Sequence, residues 1–318
     1  MAHRPLRVGV LGAARVAVFG MIAPAREVDG VEVVAIASRD PDRARAFATL
    51  HGVSSVSETY EALIESPDID LVYVATPPFN HADLAIKALR AGKPVLIEKP
   101  LAMNAAEARA VRRTAEETGL AAIEAFHWRH HGLAARALTL LPEIGPLRRL
   151  EARFDAMITQ SDQEFRWNPS LGGGALMDLG CYCIHWIRTF SGIEPQVVRA
   201  KMDIEGGVDV TTEAHLACAD MEATLHTSMR RPRQAVLRIE GKHGSLLIEN
   251  PLAPQLGHRL TLDREGRKTA ESLDAEPTFT AQLRAVAAHL KDNKPFALPP
   301  DDAEKNMAVI DAIRERSR

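Results

Sequence analysis

Two stretches of the sequence gather side chains that can move protons or hold negative charge. In Val95-Leu96-Ile97-Glu98-Lys99-Pro100 an apolar run of strand type delivers a lysine to its end. The proline that follows biases Lys99 toward an extended conformation, which fixes the base of its side chain. An ammonium held in this way is a donor to an oxygen that gains negative charge. The second stretch is Gly172-Gly173-Gly174-Ala175-Leu176-Met177-Asp178-Leu179-Gly180-Cys181-Tyr182-Cys183-Ile184-His185. Read as a helix after a glycine triplet, it sets Asp178, Tyr182 and His185 on one face, since residues three and four apart are neighbours there. A phenol exchanges protons, and a cation beside it favours the ionised form. Tyr182 is the expected acid/base, Lys99 the expected donor to the oxyanion, and Asp178 the group that orients substrate or lysine. The competing structural readings are a cap or buried ion pair for Asp178 and simple packing for His185. The three glycines are expected to admit close approach of a ligand.

The elements that position these groups begin with a turn. After the run Leu6 to Leu11, Gly12 takes the first place of a G-x-G-x-x-G fingerprint, and Ala14 and Ala17 take the second and third. Gly12, Ala13, Ala14, Arg15 and Val16 are the expected pyrophosphate cradle at a helix start. A tight turn without a ligand is the competing reading. The next apolar run ends in Ala37-Ser38-Arg39-Asp40, and Ser38 lies 21 residues past Ala17. An NAD enzyme carries an acid at that place. A hydroxyl and a guanidinium there suit a 2′-phosphate instead. NADP(H) is the preferred cofactor, and NAD(H) stays open because Asp40 offers a carboxylate slightly later. With a dinucleotide present, Lys99 and Tyr182 read as parts of a hydride transfer between alcohol and carbonyl.

Strand-like runs at Leu6–Gly12, Val31–Ala37, Leu71–Ala75, Val95–Ile97 and Ala121–Ala125 alternate with helical patterns at Pro41–His51, Ser57–Glu65, His81–Ala91 and Ala105–Thr118. Asn104 caps the last of these, Glu107 stands at its third position, and Gly119 closes it. The predicted fold class is α/β: an N-terminal Rossmann doubly wound parallel sheet over residues 1–125. Residues 126–318 form a C-terminal α+β domain for substrate binding and oligomerisation. Its large, mostly antiparallel sheet is read from runs between Leu147 and Glu249, its helices from Gly174–Phe190, Thr280–Lys291 and Asp302–Arg316. The last helix is expected to pack back on the N-terminal domain.

Composition excludes several classes. A net charge of -3 and a pI near 6.5 give no basic excess for nucleic acid. No run approaches the ~20 apolar residues of a membrane span, and the N-terminus carries no signal-peptide pattern. Cys181, Cys183 and Cys218 cannot build a disulfide framework, so a reducing cytoplasm fits. His127, His130 and His131 lack an acidic or cysteine partner at metal spacing, so no metal site is expected.

The motifs taken in order, GAARVA, ASRD, ATPPFNH, EKP, GGGALMDLGCY and DAEKNMAVIDAI, resemble the Gfo/Idh/MocA family over nearly the whole chain. The resemblance implies that Lys99 is the catalytic lysine before a cis-proline, and that Asp178 and residue 182 face nicotinamide and substrate. Many members carry histidine at 182. Tyrosine is similar to the branch of glucose-fructose oxidoreductase, dihydrodiol dehydrogenase and NADP-dependent xylose dehydrogenase, while His185 replaces an aspartate of the family pattern. By the same resemblance Thr76, Pro77, Asn80, His81 and Glu98 border the cofactor. Trp128 and Arg129 follow the sixth strand and join them, with interdomain packing as the alternative. Arg166 and Trp167 touch nicotinamide or substrate, or serve only their loop. His185 and Arg166 complete the expected substrate contacts with Lys99, Asp178 and Tyr182. The implied activity is oxidation of a sugar, cyclic polyol or dihydrodiol, or the reverse reduction. Two alternatives stand beside it: a nucleotide-linked keto-sugar 3-ketoreductase, with Arg230, Arg231 and Arg233 near the diphosphate, and a non-catalytic ligand sensor. Retention of Lys99 and Tyr182 argues against the sensor. A homo-oligomer through the C-terminal sheet is the expected assembly, by analogy with the family.

Overall fold

The computed structural model describes residues 4–273 and 275–317. They form two compact units, one made of the chain up to His127 with Phe279–Glu304, the other of Trp128–Thr278 with Lys305 onward.

The first unit carries six strands: β1 (Leu6–Leu11), β2 (Val31–Ala37), β3 (Ser55–Ser57), β4 (Leu71–Val74), β5 (Val95–Ile97) and β6 (Ala122–Glu124). They pair in the order β3-β2-β1-β4-β5-β6, all parallel. Every residue of β4 and β5 is buried, as expected of parallel strands covered on both faces. The edge strand β3 was not foreseen, because three residues with a single valine carry no periodic signal. The strand order reverses direction between β1 and β4, which opens the crevice where doubly wound sheets take ligands. Helices α1 (Arg15–Ala17) and α2 (Ala23–Ala25) are joined through a π turn at Val18–Ile22 into one run. They are followed by α3 (Pro41–His51), α4 (Tyr60–Glu65), α5 (His81–Arg90) and α6 (Ala105–Thr118). α6 is capped as its sequence predicts: Asn104 accepts from Glu107 N at 2.9 Å, Glu107 accepts from Met103 N at 3.0 Å, and Gly119 ends it at φ +66°.

The second unit opens with α7 (Gly132–Leu140). Eight strands follow: β7 (Leu147–Asp155), β8 (Gln196–Glu205), β9 (Val208–Cys218), β10 (Met221–Ser228), β11 (Gln234–Gly241), β12 (Gly244–Glu249), β13 (Arg259–Arg264) and β14 (Arg267–Glu271). Between β7 and β8 lies α8 (Cys181–Ser191). The sheet order is β14-β13-β12-β11-β7-β10-β9-β8, antiparallel throughout except for the parallel pair β7 and β10. Inward residues such as Leu216, Leu225, Leu237 and Phe154 are buried. On the other face Arg149 pairs with Glu151 at 2.9 Å, and Asp155, fully buried at the end of β7, accepts from Arg153 at 2.6 Å and from His226 at 3.1 Å. β13, β14 and α7 were not foreseen. β14 reads Arg-Lys-Thr-Ala-Glu and is exposed along most of its length, so no alternation marks it.

The chain ends with α9 (Thr278–Asp292) and α10 (Asp302–Arg316). Residues 279–304 return to the first unit, where Leu283, Val286 and Ala287 join Val10, Met21, Tyr73 and Leu96 in its core. Among the described residues no helix is long and apolar enough to cross a membrane.

Candidate active site

In the first unit the fingerprint turn is built around Gly12. Its φ is +111°, and a Cβ there would stand 3.0 Å from the Ala75 carbonyl at the end of β4. Only glycine lets β1 and β4 end so close together. Gly12 N donates to Ala37 O at 2.9 Å, which ties the turn to the end of β2. Ala14, the N-cap of α1, is extended at φ −110° and offers no side-chain acceptor to the helix start. Arg43 of α3 donates to Ala13 O at 2.8 and 3.2 Å and clamps the turn from behind. The sequence reading missed Arg43, since nothing local marks a contact spanning 30 residues.

The end of β2 separates the roles of three neighbours. Asp40 accepts from Asp42 N at 3.0 Å and Arg43 N at 3.1 Å as the N-cap of α3. Oδ1 of its carboxylate is therefore engaged at the start of α3. Arg39 is exposed, with its guanidinium 5.9 Å from the centroid of the half-exposed Phe79 ring, and Ser38 beside it is partly buried. Ser38, Arg39 and the Gly12 turn fit a dinucleotide with a 2′-phosphate.

Beyond β4, Thr76 Oγ1 donates to Asn80 Oδ1 at 2.6 Å, and Pro77 leads into the turn that starts α5. His81 is 1% exposed, its Nε2 2.6 Å from Thr76 O and its Nδ1 2.9 Å from Pro100 O. Burial pushes this imidazole down to about 4, against the pull of the two carbonyls. A neutral ring donates to only one of them. His81 thus braces two loops from inside the protein.

Lys99 follows β5 and precedes the cis peptide to Pro100. Glu98, Pro100 and Leu101 are buried, while Lys99 keeps part of its surface. Glu98 accepts from Tyr73 Oη at 2.6 Å in the core, and a Cβ on Gly20 would come 2.5 Å from that hydroxyl. The backbone after Lys99 is held by Glu124 of β6, which accepts from Leu101 N at 2.8 Å. Glu124 was another omission.

In the second unit the segment before α8 is a π turn at Leu176–Gly180, which widens the helix at Asp178. Asp178 is 8% exposed and accepts from Arg166 Nε at 2.6 Å. Arg166 also donates to Glu164 at 2.9 Å and lies over the Phe165 ring at 4.6 Å. The two carboxylates raise the guanidinium well above its usual range in spite of burial. Asp178 is an ion-pair partner aimed by Arg166, while Tyr182 lies one turn on, 5% exposed, its ring edge-on to Phe154 at 5.8 Å.

The glycine triplet needs a different account from the expected one. A Cβ on Gly173 would meet Arg166 O at 2.5 Å, and one on Gly174, at φ +113°, would meet Asp209 Oδ1 at 2.1 Å. Asp209 of β9 accepts from Leu176 N at 2.7 Å and Thr212 Oγ1 at 2.6 Å, and its burial raises its pKa. Close approach is real, but the approaching groups belong to the protein.

Several predicted contacts are taken up by packing. His185 is 1% exposed, and its Nδ1 accepts from Trp128 Nε1 at 2.9 Å. Trp128 itself is 2% exposed. Trp167 donates to Ile158 O at 3.2 Å and lies under Arg230, 4.5 Å from ring centroid to guanidinium. Arg230 pairs with Glu205, and Arg129 is partly buried beside His130, whose imidazole is pushed down to about 4 by burial with help from Arg129 and His185. His127 stacks on Phe279 at 3.9 Å and His131 caps α7 at Leu133 N. Among the described residues no group of three or more His, Cys, Asp or Glu is arranged to hold a metal.

Comparison with known proteins gives a consistent picture. The profile described as "Oxidoreductase family, NAD-binding Rossmann fold" (GFO_IDH_MocA) matches residues 6–126, and "GFO/IDH/MocA C-terminal domain" matches residues 133–247. The chain is 32% identical over 313 residues, 96% of each protein, to D-xylose 1-dehydrogenase (NADP(+)) 2 of Haloferax volcanii. It is 35% identical over 292 residues, 89% of this chain and 85% of the other, to dTDP-3,4-didehydro-2,6-dideoxy-alpha-D-glucose 3-reductase of Streptomyces violaceoruber. A 3-ketoreductase from Actinomadura kijaniata, solved with NADP and TDP-benzene, superposes with a TM-score of 0.92 at 30% identity over 99% of this chain and 98% of that one. That enzyme has also been solved with a tyrosine replaced by phenylalanine and with a lysine replaced by alanine.

Proposed function

The chain belongs to the Gfo/Idh/MocA oxidoreductase family, and from that premise we propose that it transfers hydride between NADP(H) and a CH–OH or C=O carbon of a free sugar, cyclic polyol or dihydrodiol. The observation that carries the reading is Lys99, the accessible member of a buried segment at the C-terminal edge of β5, in a unit whose first βα turn is built around Gly12.

The cofactor, when bound, supplies the carbon that accepts or gives hydride. Lys99 donates a hydrogen bond to the substrate oxygen and stabilises negative charge on it. Tyr182 takes the hydroxyl proton in oxidation and returns it in reduction. Asp178, held by Arg166, orients the substrate. Ser38 and Arg39 bind the 2′-phosphate.

The choice of a neutral substrate rests on charge. Arg166 is matched by Asp178 and Glu164, and Arg230 by Glu205, so a diphosphate would compete with carboxylates already in place. The exposed Arg231 and Arg233, with the similarity to nucleotide-sugar 3-reductases, favour the second reading, a nucleotide-linked keto-sugar reductase. Turnover with NADP⁺ and NADPH on D-xylose, cyclic polyols, a dihydrodiol and a dTDP-linked 3-keto sugar separates the two. The first reading expects the free substrates to have the higher kcat/KM. Lys99→Met and Tyr182→Phe are each expected to lower kcat by about 10²- to 10⁴-fold with NADPH affinity nearly unchanged. Near-normal turnover in both variants would refute these roles.

The outward face of the eight-stranded sheet, with its interleaved charges, is read as the surface on which a second copy of the chain docks. Three buried cysteines, none in a disulfide, suit a reducing compartment such as the cytoplasm.

A further inference from the structure

The peptide group immediately after the cis bond meets side chains from other elements at both of its polar atoms. Pro100 O faces His81 Nδ1 of α5 at 2.9 Å, and Leu101 N donates to Glu124 Oε1 of β6 at 2.8 Å. The two atoms belong to one planar amide, so the Glu124 bond at Leu101 N restrains its rotation, with the buried His81 ring packed against the opposite end. Upstream of Lys99 the segment is held differently: Glu98 N donates to Val74 O at 3.0 Å, and the Glu98 carboxylate accepts from Tyr73. Every residue from Glu98 to Leu101 except Lys99 is buried.

Glu124 is the costly member of this assembly. It is 4% exposed, and a buried carboxylate is retained only where its bonds matter. Its backbone is already committed to the sheet opposite Ile97, and Ala125 N donates to Ile97 O at 2.8 Å. The side chain is therefore not needed to pair β5 with β6. It reaches instead to the first free amide of the lysine loop.

We infer that Glu124 is a positioning residue for Lys99: by accepting from Leu101 N opposite His81, it sets the backbone plane from which the Lys99 side chain departs. This rests on the reading of Lys99 as the donor to the substrate oxygen. The required property is an acceptor oxygen at full side-chain length, not the negative charge. Glu124→Gln keeps that oxygen, Glu124→Asp keeps the charge but falls short, and Glu124→Ala removes both.

The test reads Lys99 directly and needs no substrate. With lysines reductively methylated with a ¹³C label, the resonance lost in Lys99→Met identifies Lys99 in the NADPH-bound protein. Glu124→Ala and Glu124→Asp should shift or broaden it, and Glu124→Gln should restore it. If Glu124→Ala does not unfold cooperatively, Glu124→Asp decides. A Lys99 resonance unmoved by Glu124→Asp, or moved as much by Glu124→Gln, overturns the inference. Turnover of D-xylose with NADP⁺ adds the second readout: a loss of about 10- to 100-fold in kcat for Glu124→Asp, with KM for NADP⁺ nearly constant. That loss should vanish in a Lys99→Met background. Normal turnover by Lys99→Met would instead sink the catalytic reading of Lys99, while the resonance result stands apart from it.

Discussion

At the scale of single residues, charge placement decides both cofactor choice and acid stability. Arg39 is exposed beside Ser38 while Asp40 caps α3 through one carboxylate oxygen, so an exposed cation stands where the two cofactors differ. Arg39→Ala should weaken NADP⁺ binding by about 10- to 100-fold and leave NAD⁺ binding nearly unchanged, by fluorescence titration. His81 and His130 are both pushed down to about 4 in the folded protein, from 6.5. The unfolded chain therefore binds more protons than the folded one between those values. The stability held by the neutral rings is complete above pH 6.5 and is lost as pH falls toward 4, by roughly 3 kcal/mol for each ring. Melting temperatures from pH 7 to 4.5 should fall steeply, and His81→Gln should flatten the slope. An unchanged slope would show that the ring is not held neutral. The residue partners that sequence left hidden are long-range ones: Arg43 with Ala13, Glu124 with Leu101, and Asp209 with Leu176 join segments 23 to 33 residues apart. No local pattern encodes such a pair.

At the scale of elements, the segment carrying Asp178 and Tyr182 depends on the cap that Asp209 places at its start. Gly174→Ala would drive a Cβ to 2.1 Å from that carboxylate in a backbone conformation of φ +113°. A loss of roughly 2 to 4 kcal/mol in chemical unfolding is expected, with Asp178 and Tyr182 displaced as the cap gives way. The parallel strands and the main helices were legible because burial on both faces, end caps and terminal glycines all leave marks in sequence. The π turns at Val18–Ile22 and Leu176–Gly180 were not, since an extra residue in a turn changes no residue type. Nor were β13 and β14, whose hairpin runs toward an exposed sheet edge. The glycine triplet was visible as a place of close approach, but sequence cannot say which atoms approach.

At the scale of the whole molecule, the outward sheet face of the second unit carries charges that alternate in sign along β7 and across to β11. A docked second copy predicts a dimer by sedimentation, and Arg153→Glu combined with Arg238→Glu should shift it toward monomer. A wild-type monomer at micromolar concentration would rule the surface out. The indole of Trp128, bonded to the His185 ring, has a further consequence. All three tryptophans, Trp128, Trp167 and Trp186, lie in the second unit, and the first unit has none. Indole emission is thus a reporter for one half of the protein alone. Followed beside far-ultraviolet dichroism, which sees both halves, it turns melting into a two-channel measurement: coincident curves mean the units unfold together, and separated ones give the order in which they let go.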